Sequence, residues 1–327
     1  MRSPNSAATP PVRRIEHPAE AQPEPFFADP RALTRNFNRA AATFGEGDAL
    51  HREVAKRMQE RLGYIKLDVR AALDLGCATG AALAGLRARY PHAMLTGLDV
   101  AFEMARTAAS AAGLVARLRE RVQGTRRHAV CAGMDALPFI HGSFDLAWSN
   151  LALHWLDDPM PALREAHRVL RNGGLLMFST LGPDTLRELR AAWAEAEAGA
   201  DPAPAAEQRW HVKRFIDLHD IGDLLVKTGF ATPVMDMETI VLTYKNLDKL
   251  FDDLAATGSG NAMLARPRGL TGKSAWARMR AAYERQRCDG RLPASFEVVY
   301  GHAWKAPARR TASGADVVRF VERGGRT

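Results

Sequence analysis

The residues best suited to chemistry lie in one short loop, Asp74-Leu75-Gly76-Cys77-Ala78-Thr79-Gly80. Gly76 and Gly80 let the backbone bend sharply and let a ligand approach, because glycine has no Cβ and reaches positive φ at little cost. Asp74 adds a carboxylate at the loop's start. About 20 residues further on, the usual spacing of a ribose-binding acid, Thr96-Gly97-Leu98-Asp99 ends in a carboxylate suited to accept both ribose hydroxyls. The segment Gly133-Met134-Asp135-Ala136-Leu137-Pro138-Phe139 adds a third acid. It is placed to accept from an adenine amino group, with apolar neighbours against the ring. Taken singly, Asp99 and Asp135 also suit turns or caps. Three such sites in succession favour a ligand. The expected cofactor-binding set is Asp74, Gly76, Cys77, Gly80, Asp99, Val100, Met104, Met134, Asp135 and Asn150.

A dinucleotide fingerprint would need glycines at 76, 78 and 81, and this chain has Ala78 and Ala81. No G-x-x-x-x-G-K-[ST] phosphate loop occurs either. The loop therefore offers little to hold a pyrophosphate.

The elements that must position these residues alternate. Ala71 to Leu75 reads as a short buried strand, and a helix is expected over 79–90. Further strands are expected over 94–98, 128–131, 144–149 and 174–181, with helices over 102–114 and 161–170. Strands alternating with helices of this length predict an α/β fold, a mostly parallel Rossmann-like sheet covered on both faces. Two helical patterns precede it, over 31–44 and 48–62, the second with Asp48 as N-cap. Thr185 and Glu188 have capping-box spacing and predict a helix through Trp193. Helices are expected over 217–228, 246–256 and 274–287, and two last strands over 234–244 and 296–304. The domain is thus expected over 30–306, with a cofactor-binding core over 71–182 and helical cover over 183–293. Residues 1–29 are proline-rich and read as a disordered extension. Residues 199–208 read as an Ala/Pro/Glu linker, and 307–327 as a flexible tail.

Composition narrows the classes. The chain has 327 residues, 46% hydrophobic and 25% charged, as expected of a globular enzyme. No stretch approaches the ~18 unbroken apolar residues of a membrane span, so no membrane partner is expected and the cytoplasm is the default location. The net charge of +8 favours acidic partners. Cys77, Cys131 and Cys288 form no C-x-x-C pair. His128, His141, His154 and His167 recur every thirteen residues, a spacing that fits no ligand pair, so no metal is expected.

These residues match the pattern of class I S-adenosylmethionine-dependent methyltransferases. The glycine loop resembles their first motif, Asp99 their ribose-binding acid and Asp135 their adenine-contacting acid. Within that superfamily, Ser143-Phe144-Asp145-Leu146-Ala147-Trp148-Ser149-Asn150-Leu151-Ala152-Leu153-His154-Trp155 resembles the biotin-synthesis methyltransferase family. Residues 178–189 and 37–44 are similar to it too, and the resemblance spans roughly 33–304. Two residues depart from the family pattern: Ala78 stands where glycine is usual, and Phe44 where tyrosine is common. The resemblance implies S-adenosylmethionine as cofactor. It also implies methylation of the free carboxylate of malonyl-acyl carrier protein, or of malonyl-CoA, so that fatty-acid synthesis can extend the disguised chain toward pimelate.

Such a reaction needs no strong general base, since a carboxylate of ordinary pKa near 4 is ionised at neutral pH. The candidate catalytic residues are Asn150 and Trp155, after the fourth strand, with Arg187 and Arg190 as candidates to hold the malonyl carboxylate. Trp155 also reads as core, and each arginine as a solvated helix face. Residues 266–291 hold eight basic residues against two acids, a patch to which an acidic carrier protein would be steered. The competing reading is a related fold member acting on another small molecule, a protein or RNA, or a complex-assembly factor. Nucleic acid is disfavoured because Ser149-Asn150-Leu151-Ala152 lacks the Pro-Pro turn typical of base amino-methylation. A monomer is expected.

Overall fold

A computed structural model describes residues 27–110, 127–198, 211–266, 269 and 271–307. The proposed linker and tail lie almost wholly outside these residues, as does most of the N-terminal extension. One seven-stranded sheet organises the chain in the order β3-β2-β1-β4-β5-β7-β6. Its strands are β1 (Ala71–Leu75), β2 (Met94–Asp99), β3 (Arg127–Cys131), β4 (Phe144–Ser149), β5 (Leu170–Leu181), β6 (Ala231–Tyr244) and β7 (Leu292–Trp304). The first five pair in parallel, while β7 runs antiparallel to both β5 and β6. Strand order reverses between β1 and β4, and in such sheets a ligand crevice opens there, beyond the carboxyl ends.

The inner strands β1, β2 and β4 are buried along nearly their whole length, as strands covered on both faces must be, while the edge strand β3 is partly exposed. On one face α4 (Ala81–Arg89) buries Leu83 and Leu86, joined by Val54, Met58 and Leu62 of α3 (Ala49–Gly63). On the other, α6 (Met160–Val169) buries Leu163, Ala166 and Val169, with Ile221 and Leu225 of α8 (Leu218–Lys227). The remaining helices are α1 (Pro30–Ala40), α2 (Phe44–Gly47), α5 (Phe102–Ser110), α7 (Arg187–Ala198), α9 (Leu247–Ala256) and α10 (Lys273–Glu284).

Several expectations are corrected. The helix expected over 31–44 stops at Ala40, where the Thr43 hydroxyl donates to the carbonyls of Ala40 and Ala256 and diverts the chain into α2. Asp48 caps nothing with its side chain; its carboxylate pairs with Arg52 at 3.0 Å instead. The capping box does not form either. Leu186 takes φ +53, so the helix starts only at Arg187. Glu188 turns away to accept from the Ser295 amide at 3.0 Å, and Thr185 donates to the Glu297 carbonyl. The last two strands are longer than expected because they pair with each other from Ala231–Trp304 to Tyr244–Leu292. The boundary at 29 falls too late. Ala28 is 7% exposed, bridges Met263 and donates to Asp157 at 2.9 Å, while Asp29 caps α1 through the amides of Arg31 and Ala32.

Two adjoining cavities

The carboxyl ends of β1, β2 and β4 converge on a cavity of about 290 Å³. The loop after β1 is stitched to β2: the amides of Gly76 and Cys77 both donate to the Leu98 carbonyl, at 2.8 and 3.0 Å. Gly76 takes φ +75, and a Cβ there would sit 2.4 Å from that of Ala152. Only glycine fits. Gly80, at φ +85, faces Ala108 in the same way at 3.0 Å. Ala78 holds φ +44, a left-handed conformation that glycine adopts more easily, and its amide donates to Asp99 Oδ2 at 3.0 Å.

Gly76, Asp99, Val100, Met104, Met134, Asp135 and Asn150 line this cavity. Asp99 also accepts from the Ala101 amide at 2.8 Å. Burial raises its pKa, and the two amides oppose that rise. Each of its oxygens keeps a further lone pair for a hydroxyl. Three expected residues stand back from the lining. Cys77 packs behind the loop with Sγ against Gly97, where a Cβ would meet it at 2.7 Å. Gly80 shapes the start of α4. Asp74 is 1% exposed, its Oδ2 has no partner, and burial followed by the nearby Asp99 carboxylate pushes its pKa up to about 8.

The end of β4 is held by a compact network. Asn150 accepts from the Ser179 hydroxyl at 3.0 Å and donates to the main-chain carbonyl of His51 at 3.0 Å. Leu151, at φ +50, donates its amide to Ser179 Oγ at 3.0 Å. A left-handed non-glycine residue costs about 1–3 kcal/mol and persists only where its surroundings enforce it. Ser179 on β5 does so here. Trp155 follows in a short 3₁₀ turn, its ring edge-on to Phe37 of α1 at 5.3 Å.

A second, larger chamber of about 500 Å³ adjoins the first. Ala28, His51, Leu151, Trp155 and Ser259 line both. Most of its wall is apolar and comes from the C-terminal half: Leu189 and Trp193 of α7, Leu242 of β6, Phe251 of α9, Trp276 of α10 and Phe296 of β7. Trp193 stacks flat on His211 at 3.7 Å. Neither Arg187 nor Arg190 lines either cavity. The Arg187 side chain is 61% exposed, and Arg190 is spent on the carbonyls of Pro183 and Thr185. Sequence reasoning placed a helix over 31–44 but missed His51, Ser179 and Lys213. Their distance along the chain from the glycine loop gave no signal; only the run of apolar positions in α1 hinted at a packed face.

The charges of the first cavity decide what it can hold. Asp99, Asp135 and Asp157 line it, with no lysine or arginine among the described residues. A phosphate would be repelled. A molecule with ribose hydroxyls, an amino-bearing base and a net positive charge suits it, and the unpartnered Asp74 oxygen close by suits an ammonium group. The residues present therefore fit S-adenosylmethionine. Among the described residues no group of three or more His, Cys, Asp or Glu could hold a metal ion, and no helix is long and apolar enough to cross a membrane.

Comparison with known proteins agrees with this arrangement. The family model "Methyltransferase domain" matches residues 73–178. A malonyl-[acyl-carrier protein] O-methyltransferase of Laribacter hongkongensis is 49% identical over 300 residues, covering 91% of this chain and 97% of that protein. One from Gallionella capsiferriformans is 45% identical, covering 90% of this chain and 97% of that protein. Malonyl-[acyl-carrier protein] O-methyltransferase 1 of Coxiella burnetii is 36% identical, covering 91% and 96%. Among solved structures, YcgJ from Bacillus subtilis superposes with a TM-score of 0.51 at 14% identity, covering 78% of this chain and 99% of that one, a likeness of fold.

Proposed function

Because this chain belongs to the malonyl-[acyl-carrier protein] O-methyltransferase family, we propose that it methylates the free carboxylate of malonyl-acyl carrier protein, at the pimelate stage of biotin synthesis. S-adenosylmethionine is the methyl donor, and when bound it supplies an electrophilic methyl group on a sulfonium. The observation that carries this reading is the pairing of two unlike cavities through one wall. One is lined by acids, with no cation among its described residues; the other is mostly apolar and, at about 500 Å³, roomy enough for an acyl thioester.

The chain's own residues then bind, orient and dry the site. Asp99 would accept the ribose hydroxyls, Asp135 with Met134 would take the adenine edge and face, and Asp74 would face the ammonium group. Val100 and Met104 add apolar contact, and Gly76 leaves the space a Cβ would fill. Asn150 and Leu151, fixed by Ser179, set the wall across which the methyl must pass. Trp155 forms part of that wall and, with Phe37, shields it from water. A carboxylate is ionised at neutral pH, so no base is required. Its negative charge and the positive sulfonium cancel as the bond forms, which a dry site favours. Positioning can supply about 7–11 kcal/mol when reactants are held near attack geometry.

The test is transfer of label from methyl-tritiated S-adenosylmethionine to malonyl-carrier protein, malonyl-CoA and tRNA, side by side. Label is expected on the malonyl thioesters, as a base-labile ester, and not on tRNA. Label in tRNA alone would refute the reading.

A further inference from the structure

The acceptor's carboxylate must come to rest at the wall common to both cavities, yet among the described residues that wall holds no free cation. Among the described residues lining the larger chamber, Lys213 is the only lysine or arginine. Its ammonium is already committed, donating to Asp157 Oδ1 at 2.7 Å and to the Trp155 carbonyl at 3.3 Å. Other polar groups there are also engaged. Thr185 donates to Glu297, Ser259 shares a hydrogen bond with Thr257, and His211 pairs with Glu197.

Two groups are not. Nδ1 of His51 and Nδ1 of His154 are both shielded from solvent and have no partner. Leaving a buried polar nitrogen unpaired is costly unless a ligand satisfies it. His51 lines both cavities, held edge-on to Phe44 at 5.0 Å. His154 lines the larger chamber next to Trp155, and Phe215 meets its ring edge-on at 5.6 Å. Burial pushes His51 down to about 4. Burial, with the charges of Lys213 and His51, pushes His154 well below its usual value. Both rings are therefore neutral at physiological pH, each with one N–H to give.

Resting on the reading above, the geometry points to His51 and His154 as the neutral hydrogen-bond donors that receive the acceptor's carboxylate and aim it across the wall. The chemistry favours imidazole over a cation here. A lysine or arginine would hold the carboxylate tightly and draw off the charge that attacks the methyl group. A neutral N–H fixes orientation and leaves the charge for the sulfonium. It also separates a malonyl from an acetyl thioester: without a carboxylate, the two donors stay unpaired, and buried unpaired donors reject a ligand.

The test is the affinity of the full-length protein, saturated with S-adenosylhomocysteine, for malonyl- against acetyl-carrier protein. It uses wild type, His51→Phe, His154→Phe and the rescuing variants His51→Gln and His154→Gln. Wild type should prefer the malonyl form at least tenfold. Each phenylalanine variant should cut that preference by about tenfold, consistent with losing a hydrogen bond to a charged group. The glutamine variants should stay within about threefold of wild type, because the amide keeps an N–H. Affinity for S-adenosylhomocysteine should hold within about twofold in the His154 variants, which lie off the cofactor cavity; in the His51 variants it should stay measurable and the circular-dichroism spectrum should match wild type, showing that the fold is intact. Should a phenylalanine variant not fold, His51→Leu and His154→Leu remove the donors with less bulk. Phenylalanine or leucine variants that bind S-adenosylhomocysteine and keep the full malonyl preference would overturn the inference while leaving the proposed function standing. A wild type that neither prefers nor methylates the malonyl form would fail the proposed function itself.

Discussion

The two cavities are built in opposite ways. The smaller one is made mainly of loops at the ends of β1 to β4, each reached within a few residues of its strand, and its chemistry is carried by carboxylates. The larger one takes its bulk from side chains on helix and strand faces of the C-terminal half, such as Trp193, Phe251 and Trp276, with loops closing it, and its chemistry is carried by shape and by two imidazoles. A loop site depends on backbone conformation, so single atoms matter; a face site depends on volume, so substitutions act gradually. The largest effect should therefore come from the loop. Gly76→Val adds side-chain bulk where a Cβ alone meets Ala152 at 2.4 Å, at φ +75. It should abolish detectable S-adenosylhomocysteine binding by calorimetry, a loss above about 100-fold, of the order expected when a close backbone approach is blocked.

Asp99→Ala should come next. Losing a buried acceptor for two hydroxyls should weaken S-adenosylhomocysteine by about 10–100-fold by titration, since hydrogen bonds to a charged group are worth about 1.5–3 kcal/mol each. Carrier-protein affinity should be unchanged. Equal losses on both ligands would break the contrast between the cavities.

Asp74 adds a pH dependence that the larger chamber should lack. Its pKa is raised to about 8 by burial and then by Asp99, so the free protein holds it mostly protonated at pH 7. Binding a cationic group requires the ionised form. Affinity for S-adenosylmethionine should thus rise about tenfold per pH unit up to about pH 8 and then level off. Calorimetry at pH 7 in buffers of different ionisation heat should show most of one proton released. The sign for folding is opposite. A raised folded-state pKa leaves stability intact below the unfolded value near 4 and erodes it as pH climbs to about 8. In Asp74→Asn both slopes should vanish.

The loop-built cavity was largely legible in the sequence because its spacing is local. Gly76 follows β1, Asp99 ends β2 and Asp135 comes a few residues after β3, so each lies close in sequence to the strand that positions it. Cys77 was misplaced because adjacency to Gly76 does not say which way a side chain turns; it packs against Gly97. The chamber was much less legible. Trp193, Phe251, Trp276 and His51 meet only after the sheet has brought α7, α9, α10 and α3 together. Arg187 and Arg190 were candidates by residue type alone, but Arg187 faces solvent and Arg190 is held by the carbonyls of Pro183 and Thr185, so neither lines the cavity.

Smaller effects sharpen the chamber's side of the contrast. Trp276→Ala removes a half-buried ring between Trp193 and Phe251. It should lower kcat/KM for malonyl-carrier protein by about tenfold, the order of a lost aromatic contact of ~1.5 kcal/mol. S-adenosylhomocysteine affinity should not move. The least effect is expected of Arg187→Ala, whose exposed side chain touches neither ligand space. Its kcat/KM should stay within about twofold, as surface substitutions usually lie within ~0.5 kcal/mol.

Asp157 joins three distant parts of the chain: one oxygen takes the amide of Ala28, the other the ammonium of Lys213, which itself reaches the Trp155 carbonyl. Shortening the N-terminus therefore has a natural limit set by hydrogen bonding rather than by composition. A chain cut before Phe27 keeps the clasp; one cut at Pro30 unfastens the tryptophan turn and leaves a half-buried acid short of a donor.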